Sequence, residues 1–345
     1  MPMRTGLSKS KVLVTGGAGY CGSHTVIALH QAGYLPVVAD NFLTSSPQML
    51  RRLRSIMKQP LPVYKGDCGD RRFLDDLFDR EKTIHAVIHF AACKSVRESM
   101  VKPLLYYRNN IGAMAGILGA VKDHQVSRFI FSSSCAVYGR SAGLPVSEKA
   151  TLSPGSPYGF TKYIGEKMIE DVIREDRDIR AISLRYFNPV GAHSSGMIGE
   201  RPETDYKNLI PLLLESVDRG KELTIFGRNY ATEDGTCVRD YIHVMDVAAA
   251  HVKALTYLHR RKGRGFHEVF NLGSGHGHSV LEIIRLVEKV TGRKVRFRFG
   301  PRASGDVDTV YADARKARRL LKWKPQFGVE DALRHAWSWQ QSVTY

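Results

Sequence analysis

At 345 residues the chain exceeds the size at which a single core usually stops growing, so one large or two fused domains are expected. Hydrophobic residues make up 43% and charged residues 25%, an ordinary soluble composition that excludes a low-complexity or disordered chain. The net charge of +17 comes with basic clusters at Arg51–Arg54, His259–Lys262 and Arg315–Lys324, but no helix-turn-helix or aromatic-interleaved motif accompanies them, so solvated helix faces and a general attraction for anions are expected rather than a nucleic-acid partner.

The basic opening, Met1–Lys11, leads without an apolar signal core into Val12–Ala39, the longest run free of Asp, Glu, Lys and Arg. Glycine and proline punctuate that run, so neither a leader nor a membrane span is expected. Within it, an apolar strand, Val12–Thr15, enters Gly16-Gly17-Ala18-Gly19-Tyr20-Cys21-Gly22 and then a helix, His24–Ala32. Two registers of a phosphate-cradling fingerprint coexist, Gly17/Gly19/Gly22 and Gly16/Gly19/Gly22. In either, glycine permits a tight turn and close backbone approach, and the helix N-terminus offers N–H groups to a pyrophosphate. Asp40, with Asn41 behind it, ends the second strand (Pro36–Ala39) 40 − 22 = 18 residues past the last glycine. A carboxylate there binds the adenosine ribose and repels a 2′-phosphate, which predicts NAD rather than NADP.

Further strands are predicted at Pro62–Tyr64, Ala86–Phe90, Arg128–Phe131 and Ala181–Tyr186, and helices at Arg71–Arg80, Leu104–His124 and Tyr158–Arg174. Such alternation demands a parallel sheet with helices on both faces, a doubly wound Rossmann-type α/β fold. Asp67 and Cys68 follow the third strand, where the adenine would lie. Phe90, Ala91, Ala92, Cys93 and Lys94 follow the fourth, where small residues let a cofactor pass. The five cysteines, Cys21, Cys68, Cys93, Cys135 and Cys237, form no CxxC pair and read as reduced thiols of a cytoplasmic protein, not as a zinc site.

The fifth strand closes on Ser132-Ser133-Ser134, and Tyr158-Gly159-Phe160-Thr161-Lys162 follows 24 residues after Ser134. Tyr158 and Lys162, four apart, share one helix face. A phenol titrates near pH ~10, so it needs help to serve as a base. A nearby ammonium, the positive nicotinamide and partial desolvation of the lysine would favour the phenolate, and Ser134 can donate to a reacting oxygen. After Asn188 the pattern changes. Gly191–Asn208 is loop-rich, and shorter elements follow at Leu209–Arg219, Thr224–Phe226, Val247–Tyr257, Val269–Leu272, Val280–Thr291 and Val295–Phe299. This predicts an NAD-binding domain over 1–188 and a smaller α/β substrate domain over 189–345 capping the sheet's carboxyl edge, with segments around 236–260 able to pack back on the first.

The glycine loop, the serine strand and the Tyr-x-x-x-Lys helix resemble the extended short-chain dehydrogenase/reductase superfamily. From Lys11 to about Gln341 the chain resembles its UDP-galactose/UDP-glucose 4-epimerase family. The carrying stretches are Val14–Tyr20, Lys102–Tyr107, Leu184–Ala192 and, longest, Thr232–Val244. The resemblance implies a redox-neutral cycle in which Tyr158 takes the proton of the sugar 4-hydroxyl, C4 gives a hydride to resident NAD, and the hydride returns to the other face of a 4-keto sugar. It implies that Ser132, Asn109, Lys162 and Phe187 touch NAD. It implies that Asn188, Asn208, Thr224, Ile225, Phe226, Arg239 and Asp306 hold the UDP-sugar, and that the protein is a homodimer built on Leu104–His124 and Ile164–Arg174. For Arg239 a guanidinium suits a diphosphate, and an ion pair with Asp240 or Asp246 is the structural alternative.

Departures from the family pattern narrow the activity. Relatives that dehydrate or decarboxylate nucleotide sugars carry an acid just after the active hydroxyl; here Cys135-Ala136-Val137 follows Ser134, which argues against both. The usual Arg-Arg-x-Gly-Asp segment is Arg302-Ala303-Ser304-Gly305-Asp306, which leaves Arg302 to grip the diphosphate. The small Val310 stands where a bulky residue would exclude an N-acetyl group. The alternatives are a UDP-xylose/UDP-arabinose 4-epimerase and, against the intact Ser134/Tyr158/Lys162 set, a non-catalytic NAD-binding protein.

Overall fold

The computed structural model describes residues 10–140, 143–201, 208–261, 263–302 and 307–343. In chain order the first half runs β1 (Lys11–Thr15), α1 (Tyr20–Gln31), β2 (Leu35–Asp40), α2 (Pro47–Met57), β3 (Val63–Lys65), α3 (Arg71–Glu81), β4 (Ile84–His89), α4 (Val96–Val101), α5 (Pro103–Tyr106), α6 (Gly112–Asp123), β5 (Arg128–Ser134), α7 (Pro157–Glu175) and β6 (Arg180–Tyr186). Then come β7 (Asn188–Val190), α8 (Leu209–Arg219), β8 (Leu223–Phe226), β9 (Val238–Arg239), β10 (Tyr241–His243), α9 (Val244–Arg260), β11 (Phe266–Leu272), β12 (His278–Ser279), α10 (Val280–Thr291), β13 (Phe297–Gly300), β14 (Thr309–Val310), α11 (Arg315–Leu320) and α12 (Val329–Val343).

Seven strands pair in parallel in the order β11-β6-β5-β4-β1-β2-β3. Their apolar runs are buried on both faces, as in Val12, Leu13 and Val14. Helices α1, α2 and α9 cover one face, and α3, α6 and α7 the other. The strand order reverses between β1 and β4, so the carboxyl ends diverge there and leave a crevice. A third core joins α8, α10 and α12 beside that crevice. Among the described residues no helix is long and apolar enough to cross a membrane.

Several elements depart from the sequence expectation: besides β11 and α2, helices α4, α11 and α12 are not among the predicted elements. Val269–Leu272, expected with the second half, ends β11, which adds a seventh strand beside β6. A short apolar run does not encode which sheet edge it joins. Helix α2 was not anticipated: Ser46 accepts from the Gln48 N–H, Pro47 opens the helix, and Met49, Leu50, Leu53 and Met57 face inward between basic residues. The expected helix Leu104–His124 is present but interrupted by a π-helical turn, Tyr107–Ile111.

Four histidines inside the fold, His24, His89, His243 and His251, are held by burial to about 3, 3, 3 and 4, from an ordinary 6.5. The unfolded chain therefore binds protons that the folded one refuses between pH 6.5 and those values. The associated stability is fully present above 6.5 and is lost as pH falls. The melting temperature is expected to drop steadily from pH 7 to pH 5; a flat profile would contradict these burials.

Candidate active site

One cleft of about 1290 Å³ opens over the carboxyl edge of the main sheet. Apart from Gly17 and Asp306, every residue named above as a cofactor or substrate contact lines it; Asp306 lies outside the described residues.

The glycine loop adopts the Gly16/Gly19/Gly22 register. Gly16 has φ +68°, and a Cβ there would stand 2.7 Å from the Ala91 nitrogen; one on Gly22 would stand 2.2 Å from the Gly16 oxygen. A Cβ on Gly19 would meet only the Gly16 oxygen, at 3.1 Å, which leaves its other side open at the start of α1. Gly17 instead packs on Val38. Asp40 accepts from the Ala18 and Phe42 N–H groups, each at 2.9 Å, and from the Ser45 hydroxyl at 2.8 Å. A carboxylate offers about four acceptor positions, so one remains for a ribose hydroxyl. Asn41 donates to Asp67 at 2.9 Å, which joins the ends of β2 and β3. These features fit a dinucleotide.

Tyr158 lies in the first turn of α7, whose start is capped by Ser156 and Pro157. Its ring meets Tyr106 edge-on at 6.4 Å. Burial raises its phenol well above the ordinary value, while a hydrogen bond with Ser134 pulls the other way. Burial lowers the Lys162 ammonium to about 8. The expected pairing of lysine with phenol differs in detail: Lys162 Nζ donates to the Ser132 carbonyl at 2.7 Å, lies 4.9 Å over Phe131 and stands 5.8 Å from the Tyr158 ring centre. By itself the protein thus keeps the phenol protonated at neutral pH, because removing the ring from water costs the anion more than Ser134 returns.

Around this pair, buried polar groups fix the helix. Asn110, in the π-helical turn, donates to the Cys93 carbonyl and to Thr161 Oγ1, each at 3.0 Å, and accepts from the Cys93 N–H at 2.8 Å. Glu166, one turn past Lys162, accepts from Ser133 at 2.6 Å and from Arg185 Nε at 2.9 Å. Arg185 also donates to Tyr138, at 2.9 Å. Asn109, in the same π-helical turn, lines the cleft and donates to Asn110 at 3.0 Å. Helix interruptions of this kind recur at functional sites.

On the far wall, Arg239 Nη1 donates to the Val238 carbonyl and Nη2 to the Val307 carbonyl, each at 2.7 Å. The carboxylates weighed as its alternative partners serve backbone amides: Asp240 takes Ser274, Gly275 and Ala312, and Asp246 takes Gln326 and Phe327. Arg302 pairs with Asp308 and lies 4.1 Å over Tyr230. Asn188, Thr224, Ile225, Phe226, Phe187 and Val310 complete this wall and the cleft floor, and Arg97 stacks on Phe226 at 4.8 Å.

The sequence reading missed several lining residues, among them Glu200, Arg52, Arg97 and Trp339. No motif marks them, because they arrive from loops and from α2, α4 and α12. All five cysteines, none of them disulfide-bonded, also line the cleft. Four of them directly follow a residue of a recognised motif (Tyr20, Asp67, Ala92, Ser134), a signal available in the sequence.

A Rossmann-type α/β protein whose dinucleotide cradle and Ser-Tyr-Lys set share one cleft belongs among short-chain dehydrogenase/reductase-like enzymes. The model of the NAD dependent epimerase/dehydratase family matches residues 12–273, and the chain belongs to that family. It is 44% identical to the UDP-glucose 4-epimerase of Yersinia pestis over 331 residues, 95% of this chain and 97% of that protein. Its fold matches UDP-glucose-4-epimerase from Stenotrophomonas maltophila, solved with bound NAD and formylated UDP-arabinopyranose, with a TM-score of 0.93 at 42% identity, covering 97% of this chain and 99% of that one. The enzyme from Bifidobacterium longum, in complex with NAD+ and UDP, matches with a TM-score of 0.92 at 41% identity, covering 97% and 99%.

Proposed function

We propose that this chain is an NAD-dependent 4-epimerase of UDP-hexoses that interconverts UDP-galactose and UDP-glucose through a 4-keto sugar. The observation that carries the reading is the joint placement of Tyr158, Ser134 and the glycine cradle in one cleft. When bound, NAD supplies hydride acceptance and return together with a positive charge beside the phenol. Gly16, Gly19 and Gly22, with the amides of Tyr20 and Cys21, cradle its pyrophosphate; Asp40 and Asn41 take the ribose, and Asp67 and Cys68 flank the adenine. Phe90, Ala91, Ala92, Lys94, Asn109, Ser132, Lys162 and Phe187 would line the rest of the bound cofactor's path.

Tyr158 accepts the proton of the sugar 4-hydroxyl and later returns it, and Ser134 donates to the same oxygen. Asn188, Asn208, Thr224, Ile225, Phe226, Arg239 and Arg302 hold the nucleotide and diphosphate, and Val310 borders the sugar. The dinucleotide half is residues 1–188 joined by 244–272, with most of the remainder holding the substrate. Heat-denatured protein should release NAD, and the purified enzyme should convert UDP-galactose; absence of both would sink the reading.

Val310 lines the cleft, and its side chain is smaller than the bulky residue that would exclude an acetamido group. UDP-N-acetylgalactosamine is therefore expected to be converted as well, and replacing Val310 by tyrosine is expected to remove that activity while sparing UDP-galactose. An unchanged preference in the variant would dismiss Val310 as the determinant.

The protein forms a homodimer in this reading. Val101, Leu104, Leu105 and Phe160 are 66%, 78%, 40% and 42% exposed on α4, α5 and α7, an apolar face that favours a second copy. Sedimentation should give twice the 38.7 kDa chain mass, and Leu104→Glu should halve it. Five thiols without disulfides suit a reducing compartment, and we place the protein in the cytoplasm.

A further inference from the structure

We infer that Glu200 is a positioning residue that joins the two walls of the cleft, tethering Lys94 on the cofactor side and Asn208 on the substrate side through one carboxylate oxygen. Glu200 Oε1 accepts from Lys94 Nζ at 2.7 Å and from Asn208 Nδ2 at 3.0 Å. Lys94 lies just past β4, and Asn208 is the residue from which α8 starts. Among the described residues no strand pairing joins those two places, so the carboxylate ties together elements on two sides of the cleft.

The acid is the fixed member of the trio. Its side chain is 9% exposed, whereas that of Lys94 is 54% exposed toward the open cleft. Its own backbone carbonyl accepts from the Trp339 indole N–H at 2.9 Å, and a Cβ on the preceding Gly199 would stand 2.5 Å from that indole, so the chain passes directly over the ring. Arg52 covers the same ring at 4.6 Å and donates to the Met197 carbonyl at 3.1 Å. A carboxylate immobilised in this way steers the long, rotamer-rich lysine, and burying it is tolerated because an ammonium and an amide pair with it. Burial presses the Lys94 ammonium down, but Glu200 outweighs it and keeps that group above its ordinary value.

Each tether has its own consequence. Lys94, held by Glu200, sits 5.2 Å over the ring of Tyr20, the first residue of α1 after the glycine turn, and Tyr20 in turn donates to the Gly191 carbonyl at 2.7 Å. Loss of the Glu200 charge therefore loosens the cofactor side. Asn208 presents its amide to the substrate wall only while Glu200 holds it. The inference rests on the reading of the cleft as an NAD and UDP-sugar site.

The experiment uses NAD-loaded enzyme, with UDP-galactose turnover and the rate of NAD release measured separately. Glu200→Ala is expected to raise KM about tenfold, the effect of one lost charge-assisted hydrogen bond, and to speed NAD release comparably, with kcat changed less than about threefold. Asn208→Ala should reproduce the KM effect and Lys94→Met the release effect, and neither double variant with Glu200→Ala should be worse than its more affected single. Glu200→Gln keeps an acceptor for Asn208 but not the charge, so KM should return to within about threefold of wild type while NAD release stays fast. Wild-type KM and release in Glu200→Ala, or additive double variants, would overturn the inference. Should Glu200→Ala not fold, unaltered NAD release in Glu200→Gln would overturn it alone. A wild-type protein without NAD or turnover would instead sink the reading of the cleft.

Discussion

Tyr158→Phe is expected to keep its NAD and to lose turnover by about 10²–10⁴-fold, the usual weight of a positioned proton-transfer group. The substitution removes one oxygen from a ring already packed edge-on against Tyr106, so the helix and the cradle should be unaffected. The pH profile of the wild type provides the second readout. Burial raises the phenol, and Lys162 beside it is lowered to about 8. In the protein alone the base is protonated at neutrality, so turnover should rise with pH until the phenol of the loaded enzyme ionises. Retention of most activity by Tyr158→Phe would dismiss the phenol as the base and leave Ser134 or Cys135 to be tested.

Arg185→Met is expected to cost about 3–5 kcal/mol of unfolding free energy, because it leaves the Glu166 carboxylate buried without its cation. Both side chains are 4% exposed, and the guanidinium meets both carboxylate oxygens. The same carboxylate receives Ser133, the neighbour of Ser134, and stands one turn beyond Lys162 on α7. The network thereby sets α7 against β5, and a loss of activity should accompany the loss of stability. Replacing Glu166 by methionine as well should recover much of the stability, since no charge then remains buried. Urea unfolding of the three variants decides the matter; a cost under about 1 kcal/mol for Arg185→Met would show that the buried pair is not what holds the helix.

Local chemistry made the cofactor half legible in the sequence. A strand, three glycines at fixed spacing and a helix impose one backbone path, and an acid at the end of the next strand falls beside it by the geometry of a parallel sheet. Likewise Tyr158 and Lys162 share a helix face because four residues make about one turn. Doubly buried strands such as Val12–Val14 announced their parallel sheet through unbroken apolar runs.

Long-range assembly decided the rest. The choice between the two glycine registers depended on Ala91, in the loop after β4, and Val38, in β2, which press on Gly16 and Gly17. That β11 joins the main sheet and that Asp240 and Asp246 serve backbone amides rather than Arg239 are outcomes of packing between segments far apart in the chain. Glu200 illustrates the limit most sharply. Its neighbours in sequence carry no motif, and its importance rests on Lys94, Asn208 and Trp339, which lie 106, 8 and 139 residues away. Sequence determined this protein's fold class and the chemical identity of its reactive groups, because both follow from periodicity and residue type. Tertiary structure alone decided which polar groups were already satisfied and which faced the cleft, because hydrogen-bond partners and exclusion of water are set by what the folded chain brings near.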